Sequence, residues 1–122
     1  MKQPYIRLAP SRSEQKDPPL TVEVADSFWP RFKGLMLRKN LSAHTGLLIT
    51  PCNSIHMCFM RFKLDIVFLS EDMEILKITA NVWPWVGMSM CLKAKSALEL
   101  PAGTAAEYNL AVGEKLTVAE QN

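Results

Sequence analysis

Cys52, His56, Cys58 and Met60 place thiol, imidazole and thioether groups within one short stretch. That is the ligand chemistry of Cu(I) or Zn(II). In an extended strand positions 56, 58 and 60 share a face. A rise of about 3.3 Å per residue sets His56 and Met60 about 13 Å apart. A metal with bonds of about 2.0–2.3 Å cannot reach both without a bulge. Cys58 with either His56 or Met60 is a feasible soft-metal pair, but two ligands do not complete a site. The expectation is no bound transition metal and an apolar strand face holding a satisfied histidine.

His56 also opens an acid–base reading with Asp65 and Arg38. An imidazole and a carboxylate on neighbouring strands can move protons. In that reading the chain is a small hydrolase-like enzyme, with Asp65 and His56 in a cleft floored by Met60 and Trp85. Against it, no serine or cysteine sits in a nucleophile elbow and no glycine loop suits a phosphate. Asp65 stands among Leu64, Ile66, Val67 and Phe68. Such a carboxylate is expected to be buried, and burial demands a partner. Arg38 is the first candidate and Arg61 the second. If that ion pair is buried, removing either member should cost about 3–5 kcal/mol.

Trp83-Pro84-Trp85 could form an aromatic platform for a flat ligand, or plug the edge of a core. Met88, Met90 and Cys91 again have a soft-metal flavour, but ordinary packing accounts for them. Lys93 and Lys95 read as a solvated face. If a ligand binds, the expected site gathers Arg38, His56, Met60, Asp65, Trp83 and Trp85, because barrels and sandwiches bind at mouths formed by strand ends and loops.

The elements that would hold these residues are mostly strands. Leu20, Val22 and Val24 alternate with Thr21, Glu23 and Ala25. Asp26 or Ser27 can cap a following helix, with Pro30 in its first turn and Trp29, Phe32, Leu35 and Met36 at helical spacing. Residues 47–50, 54–60, 64–69, 74–80, 96–100 and 115–119 read as strands, separated by a polar turn at 70–73 and by Gly103 and Gly113. The expected fold is mainly β: a small antiparallel barrel or sandwich with one short N-terminal helix and room for a second. Residues 1–19, with four prolines, read as a polar tail or a loosely held edge, and 20–119 as a single domain.

The 122 residues are 48% hydrophobic and 21% charged, a globular balance. The net charge of +2 resides in residues 1–19, and the remaining basic and acidic residues cancel. No basic surplus points to nucleic acid. No apolar run reaches the ~18 residues of a membrane span, and no export signal is legible. Three cysteines are an odd count for a disulfide framework, so a cytoplasmic protein with reduced thiols is expected. A non-catalytic binding or accessory module fits best. Its partner would be a small ligand or a protein, not nucleic acid or membrane, and no cofactor is implied.

A resemblance sharpens the fold more than the function. Gly34-Leu35-Met36-Leu37-Arg38, Leu41, Gly46-Leu47-Leu48, Ser54-Ile55-His56-Met57 and Met60 follow one another in order. Leu64-Asp65-Ile66-Val67-Phe68, Leu98-Glu99-Leu100-Pro101-Ala102-Gly103 and Gly113-Glu114 complete the series. Over residues 20–118 the chain resembles domain-of-unknown-function family 192, a widespread bacterial and archaeal family. The resemblance implies a small, mostly antiparallel β-barrel or sandwich with a short helix near its N-terminus. It implies no activity. Many members of that family carry an export signal, and they often have proline before the Leu-Asp pair, where this chain has Lys63.

Overall fold

The computed structural model describes residues 5–10, 19–25, 43–56 and 62–118, with the backbone alone described for Tyr5, Ala25 and His56. Nine strands and one short helix follow in order: β1 (Tyr5–Pro10), β2 (Leu20–Ala25), β3 (Thr45–Ile49), β4 (Ser54–His56), β5 (Leu64–Leu69), β6 (Ile75–Val82), β7 (Met88–Met90), β8 (Ser96–Pro101), α1 (Thr104–Glu107) and β9 (Leu116–Val118). The fold is mainly β, as the alternating runs imply. The expected N-terminal helix falls outside the described residues; the short helix described is α1.

Seven strands form one sheet in the order β6-β5-β8-β3-β2-β1-β9, while β4 and β7 pair separately. The large sheet curls into a half-barrel. Beyond its edge the chain is stitched back to the start of β6. Ile75 N–H donates to Glu114 O at 2.8 Å, Gly113 N–H to Ile75 O at 2.8 Å, and Leu116 N–H to Met73 O at 3.0 Å. One pairing departs from the antiparallel expectation: β2 and β3 run parallel, Thr21 opposite Thr45 through Ala25 opposite Ile49. Single strands carry no mark of their partner's direction, so this was not legible locally.

The alternation of each strand sorts its side chains to two cores. Leu8, Leu20, Val22, Leu48, Val67, Leu69, Ile75, Leu98, Leu100 and Leu116 fill the concave interior, with Tyr108 after α1 packed among them. Leu47, Ile49, Leu64, Ile66, Phe68, Val82 and Ala97 form a second cluster on the outer face, which Ile55 of β4 helps to cover. Strand β5 feeds both clusters, so all six of its residues are buried. That explains its unbroken apolar reading. Gly46 lets β3 lie close to β8, since a Cβ there would stand 2.7 Å from Leu100 Cδ2 and 3.1 Å from Glu99 O.

Within the span 1–19, expected as a tail or a loosely held edge, residues 5–10 form a strand. Strand β1 lies inside the sheet, antiparallel to β2 on one side and to β9 on the other. Leu8 is buried in the interior cluster.

Candidate functional site

Asp65 projects from β5 toward the interior and is 0% exposed. Its carboxylate is held by three backbone donors. Asn81 N–H donates to Oδ1 at 2.9 Å; Gly103 and Ala105 N–H donate to Oδ2 at 3.0 and 2.9 Å. The geometry follows from what these segments lack. Helix α1 has no side-chain cap of its own, and Gly103 before it has φ 97°. A carboxylate from a distant strand supplies the acceptor that an adjacent Ser or Asp normally provides. Asn81, with φ 54°, stands one residue before the end of β6, where the register with β5 shifts, and its N–H donates to the same carboxylate. Asp65 thus pins the end of β6 to the start of α1. The sequence pointed to burial and to an arginine partner; the burial is there, and the described partners are amides. Arg38 and Arg61 lie outside the described residues.

Two residues beyond Asn81 the chain leaves the sheet as Trp83-Pro84-Trp85-Val86-Gly87. Gly87 N–H donates to Trp83 O at 3.0 Å and Val86 N–H to Pro84 O at 2.8 Å, closing a tight turn. Only glycine fits at its end, because a Cβ on Gly87 would lie 2.5 Å from Val82 Cγ1 and 2.6 Å from Trp83 O. Trp83 and Trp85 face outward, and Lys63 Nζ lies 4.6 Å from the Trp83 ring centroid, a cation–π distance.

Strand β7 continues from this turn. Met88 and Met90 point out and Ser89 points in, where its hydroxyl meets Thr79 Oγ1 of β6 at 2.7 Å. Lys77 Nζ donates to Met90 O at 2.9 Å. The register of β4 on β7 sets His56 opposite Met88 and Ile55 opposite Ser89. The turn after β7 exposes Leu92 beside Lys93. The result is a raised apolar ridge from Trp83 to Leu92. Val86 is 81% and Leu92 77% exposed, with Trp83, Trp85, Met88 and Met90 between 45% and 63%.

Of the six residues expected to form a site, Trp83 and Trp85 sit on this ridge, and His56 is placed beside it by strand register. Asp65 points to the opposite face of β5 and is tied to this part of the chain through the Asn81 N–H, two residues before the ridge begins, with both oxygens engaged. Arg38 and Met60 lie outside the described residues, as does Cys58. Cys52 Sγ contacts Ser54 O at 3.2 Å, and Cys52 and Cys91 pack against the outer cluster. Beside Cys52, a hollow of about 190 Å³ is lined by Pro51, Asn53, Ala94 and Lys95. That is below the usual size of a small-molecule pocket. Among the described residues no three His, Cys, Asp or Glu side chains form a metal-binding group.

Two features were missed in the sequence. Met88 and Met90 were read as core because they are apolar; the signal against that was the small polar Ser89 between them, which suits an inward position. Glu99 is the second. It is only 4% exposed on β8 and pairs with Leu47 on one side and Ile66 on the other. Glu23 lies on the far side of Leu47 in the same cross-strand row. A glutamate in the middle of Ser-Ala-Leu-Glu-Leu-Pro carried the same signal as Asp65 within its own apolar run.

The DUF192 family profile, described as an uncharacterised conserved group, matches residues 10–118. A UPF0127 protein of Thermococcus sibiricus is 32% identical over 100 residues, covering 78% of this chain and 64% of that protein. One from Pyrococcus furiosus is 31% identical over 102 residues, covering 80% and 85%. The chain therefore spans just under two thirds of the Thermococcus relative. Among solved structures, a Sinorhizobium meliloti protein described as a candidate transcription regulator superposes with TM-score 0.82 at 24% identity, covering 97% of this chain and 96% of that one. A Novosphingobium aromaticivorans protein of unknown function gives 0.76 at 22%, covering 93% and 84%. These likenesses establish the fold.

Proposed function

The chain belongs to the DUF192 family, and we propose that it is a non-catalytic binding domain whose partner docks on the ridge from Trp83 to Leu92. The observation that carries this reading is the exposure of six large apolar side chains within ten consecutive residues. Isolated exposed hydrophobes are ordinary, but a contiguous set of this kind marks an interaction surface. Tryptophan anchors such surfaces more often than other residues do. The ridge is also built to hold its shape. Gly87 seals the turn, Asp65 fixes the chain that enters it, and the Thr79–Ser89 and Lys77–Met90 contacts fasten β7 to β6. A preorganised surface loses less entropy when it binds.

The hydrolase-like alternative through Asp65 and His56 has less support. A general base must reach substrate or a water. Asp65 is buried, and its two oxygens accept three backbone hydrogen bonds. No helix among the described residues is long and apolar enough to cross a membrane. Cytoplasmic residence is part of the same proposal, supported by the odd count of three cysteines.

The test is site-specific photo-crosslinking in the native cell. A benzophenone amino acid at Val86, on the ridge, is expected to yield adducts. The same group at Val118, an exposed valine on β9, is expected to yield few. Equal yields at the two positions, or none at Val86, would contradict a ridge-specific partner.

A further inference from the structure

We infer that the partner of the ridge is an anionic phospholipid surface, bound peripherally by insertion of the Trp83–Val86 turn and Leu92. This rests on the reading of the ridge as a docking surface and adds the chemistry of what docks there.

Charge is the first argument. Between Glu74 and Glu99 the chain has no acidic residue, and it has three lysines, Lys77, Lys93 and Lys95. Between Asp26 and Asp65 there is again no acidic residue, and Lys63 closes that stretch. The fold brings parts of both stretches together. Lys63 lies over Trp83, Lys77 reaches Met90 O, and Lys93 follows Leu92 directly. None of the four lysines is ion-paired among the described residues. Asp65 is buried and bonded to amides. The neutral net charge of the folded chain therefore conceals a local surplus. Its complement is a negative acceptor.

That surplus argues against a second copy of the chain as the occupant. Two ridges face to face would bring eight lysines together.

The apolar side chains distinguish among negative partners. Nucleic acid would use the two tryptophans for stacking but offers little to Val86, Met88, Met90 and Leu92. Those four aliphatic and thioether groups suit hydrocarbon. The most exposed of them, Val86 and Leu92, stand on turns rather than on a flat face or in a groove. Projecting apolar tips with tryptophan beside them and lysines around them are the composition of a membrane-interface anchor. Lysine stems can lie along the apolar surface while their ammonium groups stay at the headgroups. The cytoplasmic leaflet, with its anionic lipids, is the matching surface for a protein of that compartment.

The experiment is co-sedimentation of the intact protein with vesicles, with tryptophan emission recorded in parallel. Vesicles of phosphatidylcholine containing about one third phosphatidylglycerol are expected to bind the protein and shift its emission to the blue, while pure phosphatidylcholine binds far less. The K93Q/K95Q variant, which removes two positive charges worth about 1 kcal/mol each, is expected to lower partitioning about 30-fold. Raising salt to about 0.5 M, which shortens the screening length to roughly 4–5 Å, should reduce it similarly. The V86D/L92D variant should lose the blue shift, and all these changed positions are exposed, so each variant should melt with the parent. Failure to bind anionic vesicles at low salt overturns the inference. So does binding that survives both double variants, and so does tighter binding to a single-stranded oligonucleotide or to polyglutamate than to vesicles. If vesicles fail while Val86 still forms specific crosslinks to a protein, the docking surface stands and the lipid does not. If Val86 forms no crosslinks to lipid or protein, the docking surface itself falls.

Discussion

Replacing Asp65 with alanine is expected to destabilise the fold by about 3–5 kcal/mol, because three N–H donors, one buried and two part-buried, lose their acceptor and an unsatisfied buried donor costs about 1–3 kcal/mol. Asp65→Asn keeps the shape and one oxygen but turns an NH₂ group toward at least one of the donors. It should cost less than alanine, about 2–3 kcal/mol. Urea denaturation measures both. The pattern of local loosening is more specific than the total. Asn81, Gly103 and Ala105 donate the three bonds. Their amides should exchange hydrogen faster in both variants, while amides in the centre of β3 keep the parent's order of protection. Variants that melt with the parent and leave those three amides unchanged would remove Asp65 from its structural role.

The second large effect concerns the segment that reads as a tail. Leu8→Ala is expected to cost about 2–5 kcal/mol, the range for a leucine deleted from a packed core. Truncation of residues 1–10 should cost more, since it strips β2 and β9 of a shared partner and opens the interior over Leu20, Val22 and Leu116. A thermal melt of each variant decides the matter. If the truncated chain unfolds at the parent's temperature, residues 5–10 are dispensable and the sheet begins at β2.

These two cases show where the sequence was legible. Strands β5 and β8 could be read because central burial on both faces leaves continuous apolar runs. Strand β2 could be read from its alternation. Strand β1 also alternates, with Ile6 and Leu8 turned to the interior, but Pro4 and Pro10 frame it and the proline count dominated. Strand β7 is three residues long and carries its methionines outward, so its pattern pointed the wrong way. The burial of Asp65 followed from its apolar neighbours. Its partners did not, because the three N–H groups come from 16, 38 and 40 residues further along. A backbone amide leaves no mark in a sequence, whereas an arginine does, and that biased the expectation toward an ion pair.

The same limit applies to the candidate site. Trp83 and Trp85 could be named in advance because their type is conspicuous. The lysine surplus around them does not show in a net charge near zero, since it comes from two acid-free stretches, 27–64 and 75–98, that the fold joins where Lys63 meets Trp83.

The most direct test of the account is oxidative footprinting of the ridge inside the cell and in purified form. Met88 and Met90 are exposed, so hydroxyl radicals should label both, with Trp83, readily in the isolated protein. Met73 is half-buried against the interior cluster and serves as the internal reference. The account predicts that labelling of Met88, Met90 and Trp83 falls several-fold in intact cells relative to Met73 and returns after purification. Identical relative labelling in both settings would mean that nothing occupies the ridge, and would contradict the proposal that this surface carries the function.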